Sequence, residues 1–200
     1  MRLNYYLFVA VLLCCPVCLQ AQNETVRHEI SVGGGYYSNS ELLDLYTELV
    51  TMGFTGGYAS YENEKFRNPL SIEYYYHVSP LIGVGAIAVY THSKKDIVYG
   101  GDIEGRTKSN YFTLMPAVKI NWLRKNAWGL YSKVGLGASY RNEKMTSYDK
   151  SVSSKTENDV IFNFQATAIG VEAGSENYRG FMELGIGEQG VVNAGVRLRF

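Results

Sequence analysis

Few residues in this chain have the types and spacing that catalysis or metal binding requires. The three histidines, His28, His77 and His92, stand far apart, and none has the HExxH or i, i+4 spacing of a zinc site. His92, Ser93 and Asp96 would supply the base, the nucleophile and the orienting carboxylate of a hydrolase. Adjacent residues on a strand point to opposite faces, so His92 and Ser93 would cooperate only within a loop. The sequence therefore favours a non-enzymatic protein, and it predicts no catalytic, cofactor-binding or metal-binding residue.

The charge balance excludes one class of partner. The 200 residues include 19 Lys and Arg and 19 Asp and Glu, which gives a formal net charge of zero. A nucleic-acid-binding protein would be markedly basic, so no nucleic-acid partner is expected.

All three cysteines lie within the first 18 residues, so the rest of the chain has no disulfide or thiolate metal site.

Residues 1–21 have the pattern of a secretory signal peptide. Arg2 supplies the positive start, Leu7 to Leu13 forms an apolar core, and Ala21 precedes the expected cleavage point. A transmembrane helix is disfavoured because the apolar run is short and Pro16 interrupts it. A lipoprotein signal is also disfavoured, since the residues before the three cysteines are not the small residues of a lipobox.

The remaining residues, 22–200, are predicted to form one domain built of strands. Apolar and polar residues alternate with a period of two in eight segments. These segments span residues 29–37, 70–78, 81–91, 111–122, 128–141, 160–171, 178–187 and 191–200. Most have the length that a tilted strand needs to cross a bilayer. The apolar face falls on even numbers in each segment, and the charged residues inside the segments are odd-numbered.

Aromatic residues and connection lengths indicate that the apolar face meets lipid. Aromatic side chains collect at the two ends of the apolar face, as in the girdles of membrane barrels. The predicted girdle comprises Tyr36, Tyr76, Tyr90, Phe112, Trp122, Trp128, Tyr140, Phe162 and Tyr178. Short connections between the segments alternate with long ones, and the long ones span residues 38–69, 92–110 and 142–159. This alternation matches the short periplasmic turns and long outer loops of membrane barrels.

The odd-numbered face predicts a packed polar lumen. Eight strands enclose a space only wide enough for side chains, so buried charges there must pair with one another. The predicted lumen network is Glu73, His77, Lys119, Lys133, Glu183 and Arg197. His77 is expected to pair with Glu73, and inward glycines are expected to make room for Tyr37, Tyr75 and Tyr131. A gate whose ion pairs exchange partners is the alternative interpretation.

The signal peptide, the eight alternating segments and the terminal Phe200 resemble the small outer-membrane barrels of the OmpA and OmpX type. The resemblance implies an all-β, eight-stranded antiparallel up-and-down transmembrane barrel in the outer membrane. It places both termini in the periplasm and the long loops outside the cell. It also implies that the barrel-assembly machinery is a partner and that Val196, Leu198 and Phe200 form its recognition signal.

The outer loops are the predicted functional surface. Ser38 and Glu41 have capping-box spacing, and the apolar residues after them recur at helical spacing until Gly53. One short amphipathic helix is therefore expected in the first outer loop. The favoured function is a structural or surface-interaction role, with the extracellular partner unidentified. The alternatives are adhesion or ligand binding through residues 38–69, and a lipid-modifying barrel enzyme that uses His92 and Ser93.

Overall fold

The chain forms a closed β-barrel. A computed structural model describes residues 27–40, 59–99, 102–147 and 155–200. The predicted signal peptide, and the predicted helix from Glu41 onward, lie outside these residues. Among the described residues, no helix has the length and hydropathy that crossing a membrane requires.

Eight antiparallel strands pair in sequence order, and the last strand pairs with the first. They are β1 (His28–Tyr36), β2 (Ala59–His77), β3 (Ile82–Tyr99), β4 (Asp102–Arg124), β5 (Trp128–Ser147), β6 (Lys155–Gly174), β7 (Tyr178–Gly187) and β8 (Val192–Arg199). Val32 lies opposite Val196 where β1 and β8 close the barrel. The predicted eight-stranded up-and-down barrel is thus confirmed.

Five of the strands are much longer than the alternation predicts. Strands β2 to β6 have 18 to 23 residues, whereas β1, β7 and β8 have 8 to 10. The predicted loops over 92–110 and 142–159 are consequently wrong, because strand covers most of both ranges. Where the side chains of these extensions are described, as at Lys108 and Ser109 on β4, both faces are polar. Backbone pairing therefore continues there without the apolar alternation that reveals a strand in sequence.

The two faces of the barrel wall have opposite character. Large apolar side chains on the outer face are about half exposed, including Leu114 at 54% and Leu136 at 55%. Charged side chains on the inner face, such as Lys119 and Lys133, are buried. This inverts the usual arrangement of a water-soluble protein, in which large exposed apolar surfaces are rare.

A β-bulge in β6 reverses the predicted parity of that strand. The pairing of β6 with β7 shifts register between Thr167 and Ile169. Beyond the shift the exposed apolar residue is the odd-numbered Val171, while the even-numbered Gly170 and Glu172 are buried. The rule that apolar residues are even-numbered therefore fails in this part of β6, because one extra residue in a bulge exchanges the two faces.

Short turns join the strands at the end of the barrel where Phe200 lies. Residues 78–81, 125–127 and 175–177 make these turns, which agrees with the short connections expected from sequence. At the opposite end, Tyr37 directly follows β1, has a positive φ of 61° and is 63% exposed. The prediction that Tyr37 fills the lumen is therefore wrong.

Candidate functional site

The lumen is organised around Arg197 on β8. Its guanidinium lies near all four lumen glutamates, which come from four different strands. The nitrogen to oxygen distances are 3.0 Å to Glu29, 3.8 Å to Glu73, 2.5 Å to Glu172 and 3.8 Å to Glu183. Arg197 is the most connected cation of the described lumen because its planar group presents five donors in fixed directions.

Glu29 and Glu172 form the part of the network nearest the short turns. Glu29 accepts hydrogen bonds from Lys119 Nζ at 2.7 Å and Arg199 Nε at 3.2 Å. Glu172 accepts from Arg179 Nη1 at 3.1 Å and also from Arg199. Arg199 thus contacts carboxylates from both β1 and β6. The cations in this part of the lumen come from three strands, β4, β7 and β8.

Glu73 and Glu183 form a second part of the network, deeper in the barrel. Lys133 Nζ lies 2.8 Å from Glu183 and also donates to Glu73. The Tyr131 hydroxyl donates to Glu183 at 2.5 Å, and Gln189 Nε2 donates to Glu73 at 2.5 Å. Each carboxylate is therefore shared between a cation and a neutral donor.

The charged groups of the network are buried and paired. Its four glutamates and the cations that contact them are each at most 4% exposed. A charge buried to this degree is tolerated only when it is paired and hydrogen-bonded, and every one of these charges has such partners. These ion pairs link strands across the barrel, such as β4 with β1 through Lys119 and Glu29.

One sector of the lumen is apolar. The prediction of a polar lumen did not include this sector. Tyr75, Ile87, Val89, Met115 and Ala117 form a buried cluster on β2, β3 and β4. The sequence places these residues on the inner face, but it does not show that they meet. The lumen therefore combines an ionic side with a conventional hydrophobic core.

Gly170 makes room for the Tyr131 ring. A Cβ atom added to Gly170 would lie 2.4 Å from Cζ of Tyr131, far inside van der Waals contact. The ring also has the Arg197 guanidinium 4.7 Å and the Lys119 ammonium 4.0 Å from its centroid. Gly170 is even-numbered, so the parity of the sequence assigns it to the apolar face, and the bulge in β6 is what turns it toward Tyr131.

The turn between β7 and β8 folds over the outer mouth of the lumen. Glu188 in this turn is fully buried and accepts hydrogen bonds from Ser40 Oγ at 2.7 Å and Asn163 Nδ2 at 2.8 Å. Thr91 Oγ1 lies 3.4 Å from the same carboxylate. Burial raises the pKa of Glu188, because no cation among the described side chains contacts it. Neutral donors from Ser40, Thr91 and Asn163 therefore hold this turn in place.

The structure brings all six predicted lumen residues to the inner face. Lys133 and Arg197 contact Glu73 and Glu183, whereas His77 binds Glu29 at 3.2 Å instead of Glu73. The predicted set omits several members of the network. These are Glu29, Glu172, Arg179, Gln189 and Arg199. Glu29, Arg179 and Arg199 are odd-numbered, so the alternation of the sequence places their side chains on the inner face. Glu172 and Gln189 cannot be placed by alternation, because Glu172 follows the bulge in β6 and Gln189 lies in a turn.

The aromatic residues of the predicted girdle lie on the outer face near the two ends of the apolar band. Eight of the nine are exposed, and Tyr76 is half-buried against His28, with ring centroids 5.3 Å apart. Tyr90, Phe112 and Tyr140 are direct neighbours on β3, β4 and β5. They form one continuous aromatic row at the outer end of the band.

The residues of the hydrolase hypothesis are not brought together. Ser93 is buried on the inner face, while the His92 ring bonds Asn110 Oδ1 at 2.8 Å on the outer face. Asp96 accepts a hydrogen bond from Arg106 Nε at 2.7 Å. Strand β3 runs through all three positions, so the loop that would let His92 and Ser93 meet is absent there. Among the described residues, no group of three or more His, Cys, Asp or Glu side chains could hold a metal ion.

The residues of the predicted assembly signal lie at the end of β8. Val196, Leu198 and Phe200 are all exposed on the outer face. Phe200 stacks on His28 at a centroid distance of 5.4 Å, which attaches the chain end to the start of β1. Their role in assembly stays a prediction.

Comparisons with known proteins return matches in solved structures alone. No protein-family model and no curated protein sequence matches the chain. The crystal structure of Ail, the attachment invasion locus protein of Yersinia pestis, matches with 12% identity and a TM-score of 0.42, covering 87% of this chain and 93% of Ail. A second structure of Ail, in complex with the heparin analogue sucrose octasulfate, matches with 14% identity and a TM-score of 0.44, covering 86% and 95%.

Proposed function

We propose that this chain is a non-enzymatic integral protein of the bacterial outer membrane, with a structural or surface-interaction role. The observation that carries the proposal is the inverted polarity of a closed barrel wall. Within the apolar band, apolar side chains are exposed around the wall, and the charged side chains lie inside. Leu70, Leu114, Leu136 and Val196 are each more than half exposed, on four different strands. Water would penalise such a surface, whereas bilayer hydrocarbon accommodates it.

The two unequal ends support an orientation with both termini in the periplasm. The end with short turns and Phe200 corresponds to the periplasmic side of such barrels, and the end with extended strands corresponds to the outside. Strand β4 continues ten residues beyond Phe112, from Tyr111 to Asp102, or about 33 Å of strand length. Strands β2 to β6 thus project as a sheet beyond β1, β7 and β8.

The packed lumen supports a role other than that of an open pore. The side chains of the ionic network and of the apolar cluster are buried between the strands, and Glu188 in the turn between β7 and β8 is also buried. An eight-stranded barrel has little room beyond its own side chains. The projecting sheet is therefore the surface through which the protein would meet an extracellular partner.

Membrane fractionation combined with a heat-modifiability gel tests the location. The chain is expected in the outer-membrane fraction, and its unboiled form should migrate differently from its boiled form, because a closed barrel resists detergent. A water-soluble chain with unchanged mobility after boiling would refute the proposal.

Conductance measurements in planar bilayers test the packed lumen. Purified protein should give no stable, large single-channel steps, because the buried ion pairs leave no continuous path. Regular large steps would instead support the gate interpretation of the network.

A further inference from the structure

The outer face carries three successive rows of side chains where β3, β4 and β5 leave the apolar band. Tyr90, Phe112 and Tyr140 are aligned in the first row by strand pairing. The second row is polar and contains His92, Asn110 and Asn142. The third row is basic and contains Lys94, Lys108 and Lys144. The face therefore changes from aromatic to polar to cationic within four residues of each strand.

The three lysines are direct cross-strand neighbours. Lys94 lies opposite Lys108, and Lys108 lies opposite Lys144. All three side chains are exposed, and none contacts a carboxylate among the described side chains. Like charges in directly opposed positions destabilise a sheet, so this row is unfavourable unless an anion compensates it.

The nearest other charges on this surface are already compensated. Arg106, the next outward-facing residue on β4, donates to Asp96 at 2.7 Å. Among the described side chains of this surface, Arg106 is thus paired with a carboxylate, whereas the three lysines of the row are not.

The height of the row matches the headgroup layer of a membrane. Lys108 is four residues beyond Phe112, which is about 13 Å along the strand and about 10 Å along the membrane normal at a typical barrel tilt. Aromatic girdles lie at the boundary of the hydrocarbon, and the headgroup region extends beyond it. Long lysine stems can bend back toward that region while their ammonium groups stay hydrated.

We propose that Lys94, Lys108 and Lys144 form a binding site for the phosphate group of an anionic lipid in the outer leaflet. Adjacent strands are about 4.8 Å apart, so two neighbouring ammonium groups can contact one phosphate. The lipid is favoured over a soluble anion because the row faces the same side as the apolar band and continues directly from its aromatic edge. This inference rests on the proposed membrane location, and it adds the lipid class that the outer face selects.

The test is a titration of the full-length chain in zwitterionic detergent micelles with bisphosphorylated lipid A, followed through the rise in unfolding temperature. The variant Lys94→Gln/Lys108→Gln/Lys144→Gln should lose affinity by roughly five-fold per lysine. The corresponding triple arginine variant should bind like the wild type. Lys125→Gln, which removes an exposed lysine at the opposite end of the barrel, should also bind like the wild type.

Three results would overturn the assignment. They are unchanged affinity in the triple glutamine variant, equal affinity for dephosphorylated lipid A, and equal occupation of the site by inorganic phosphate or a soluble sulfated oligosaccharide. The last result would assign the row to a soluble polyanion. The micelle titration is separate from the fractionation experiment, so loss of the phosphate site and failure of the outer-membrane location are distinguishable outcomes.

Discussion

Arg197 Nη1 on β8 donates to Glu172 Oε2 on β6 at 2.5 Å, across the strand that separates them in the barrel wall. The contact exists because the bulge after Thr167 turns Glu172 inward. The same guanidinium lies within 3.8 Å of Glu73 and Glu183, so one side chain connects carboxylates that neighbouring strands alone would not join.

Replacing Arg197 with methionine should destabilise the barrel strongly. The substitution keeps most of the side-chain volume but leaves buried carboxylates without their shared cation, which typically costs about 3–5 kcal/mol. Urea unfolding in phospholipid vesicles would measure the change in the free energy of unfolding. Lys125→Gln, at an exposed position, should change it by less than about 0.5 kcal/mol. Similar values for the two variants would contradict the central role of Arg197.

Position in the apolar band should set the penalty for a lipid-facing charge. Leu136→Arg places a cation at mid-band and should cost about 2–4 kcal/mol, whereas Val160→Arg, beside the outer aromatic row, should cost about 0–1 kcal/mol. Both residues are exposed on the outer face, so packing differs little between them. The same vesicle assay distinguishes them, and equal penalties would argue against hydrocarbon around Leu136.

Gly170→Ala should be harmful although it adds one methyl group. The new Cβ would overlap the Tyr131 ring, whose hydroxyl is held by Glu183, and overpacking of this kind costs about 1–3 kcal/mol. Gly180→Ala is the matched control, because the nearest atoms to its added Cβ are backbone oxygens at 3.9 and 4.0 Å. If both variants unfold at the same urea concentration, the close fit of Tyr131 against Gly170 is not important for stability.

Glu188 should make a pH-dependent contribution to stability that Glu188→Gln removes. Its pKa is raised above the ordinary value of 4.5 by burial, so the folded state holds the proton more tightly than the unfolded state. The contribution is therefore fully present below pH 4.5 and is lost as the pH rises through the folded-state pKa. The difference in unfolding free energy between wild type and variant, measured across that interval, should fall with rising pH. A difference that stays constant, or grows, would show that ionisation of Glu188 is not disfavoured in the fold.

Much of the barrel can be predicted from local pattern. Alternation places Lys119 and Lys133 on the opposite face from Leu114 and Leu136, because side chains on a strand point to alternate sides. Aromatic positions such as Phe112 mark the ends of the apolar segments. These features depend on residues close in sequence, and the closed barrel follows from eight such segments joined in order.

Only the tertiary structure shows the features that depend on pairing between strands, namely the bulge, the strand extensions and the contacts between side chains of different strands. The bulge that turns Glu172 inward, and the extension of β4 back to Asp102, are set by hydrogen bonds to neighbouring strands and leave no periodic signal in the chain. The same pairing places Lys108 opposite both Lys94 and Lys144. It also brings Arg197 to four glutamates from distant parts of the sequence. Local alternation determines which side of the wall a residue faces, but only strand register determines which residues meet there.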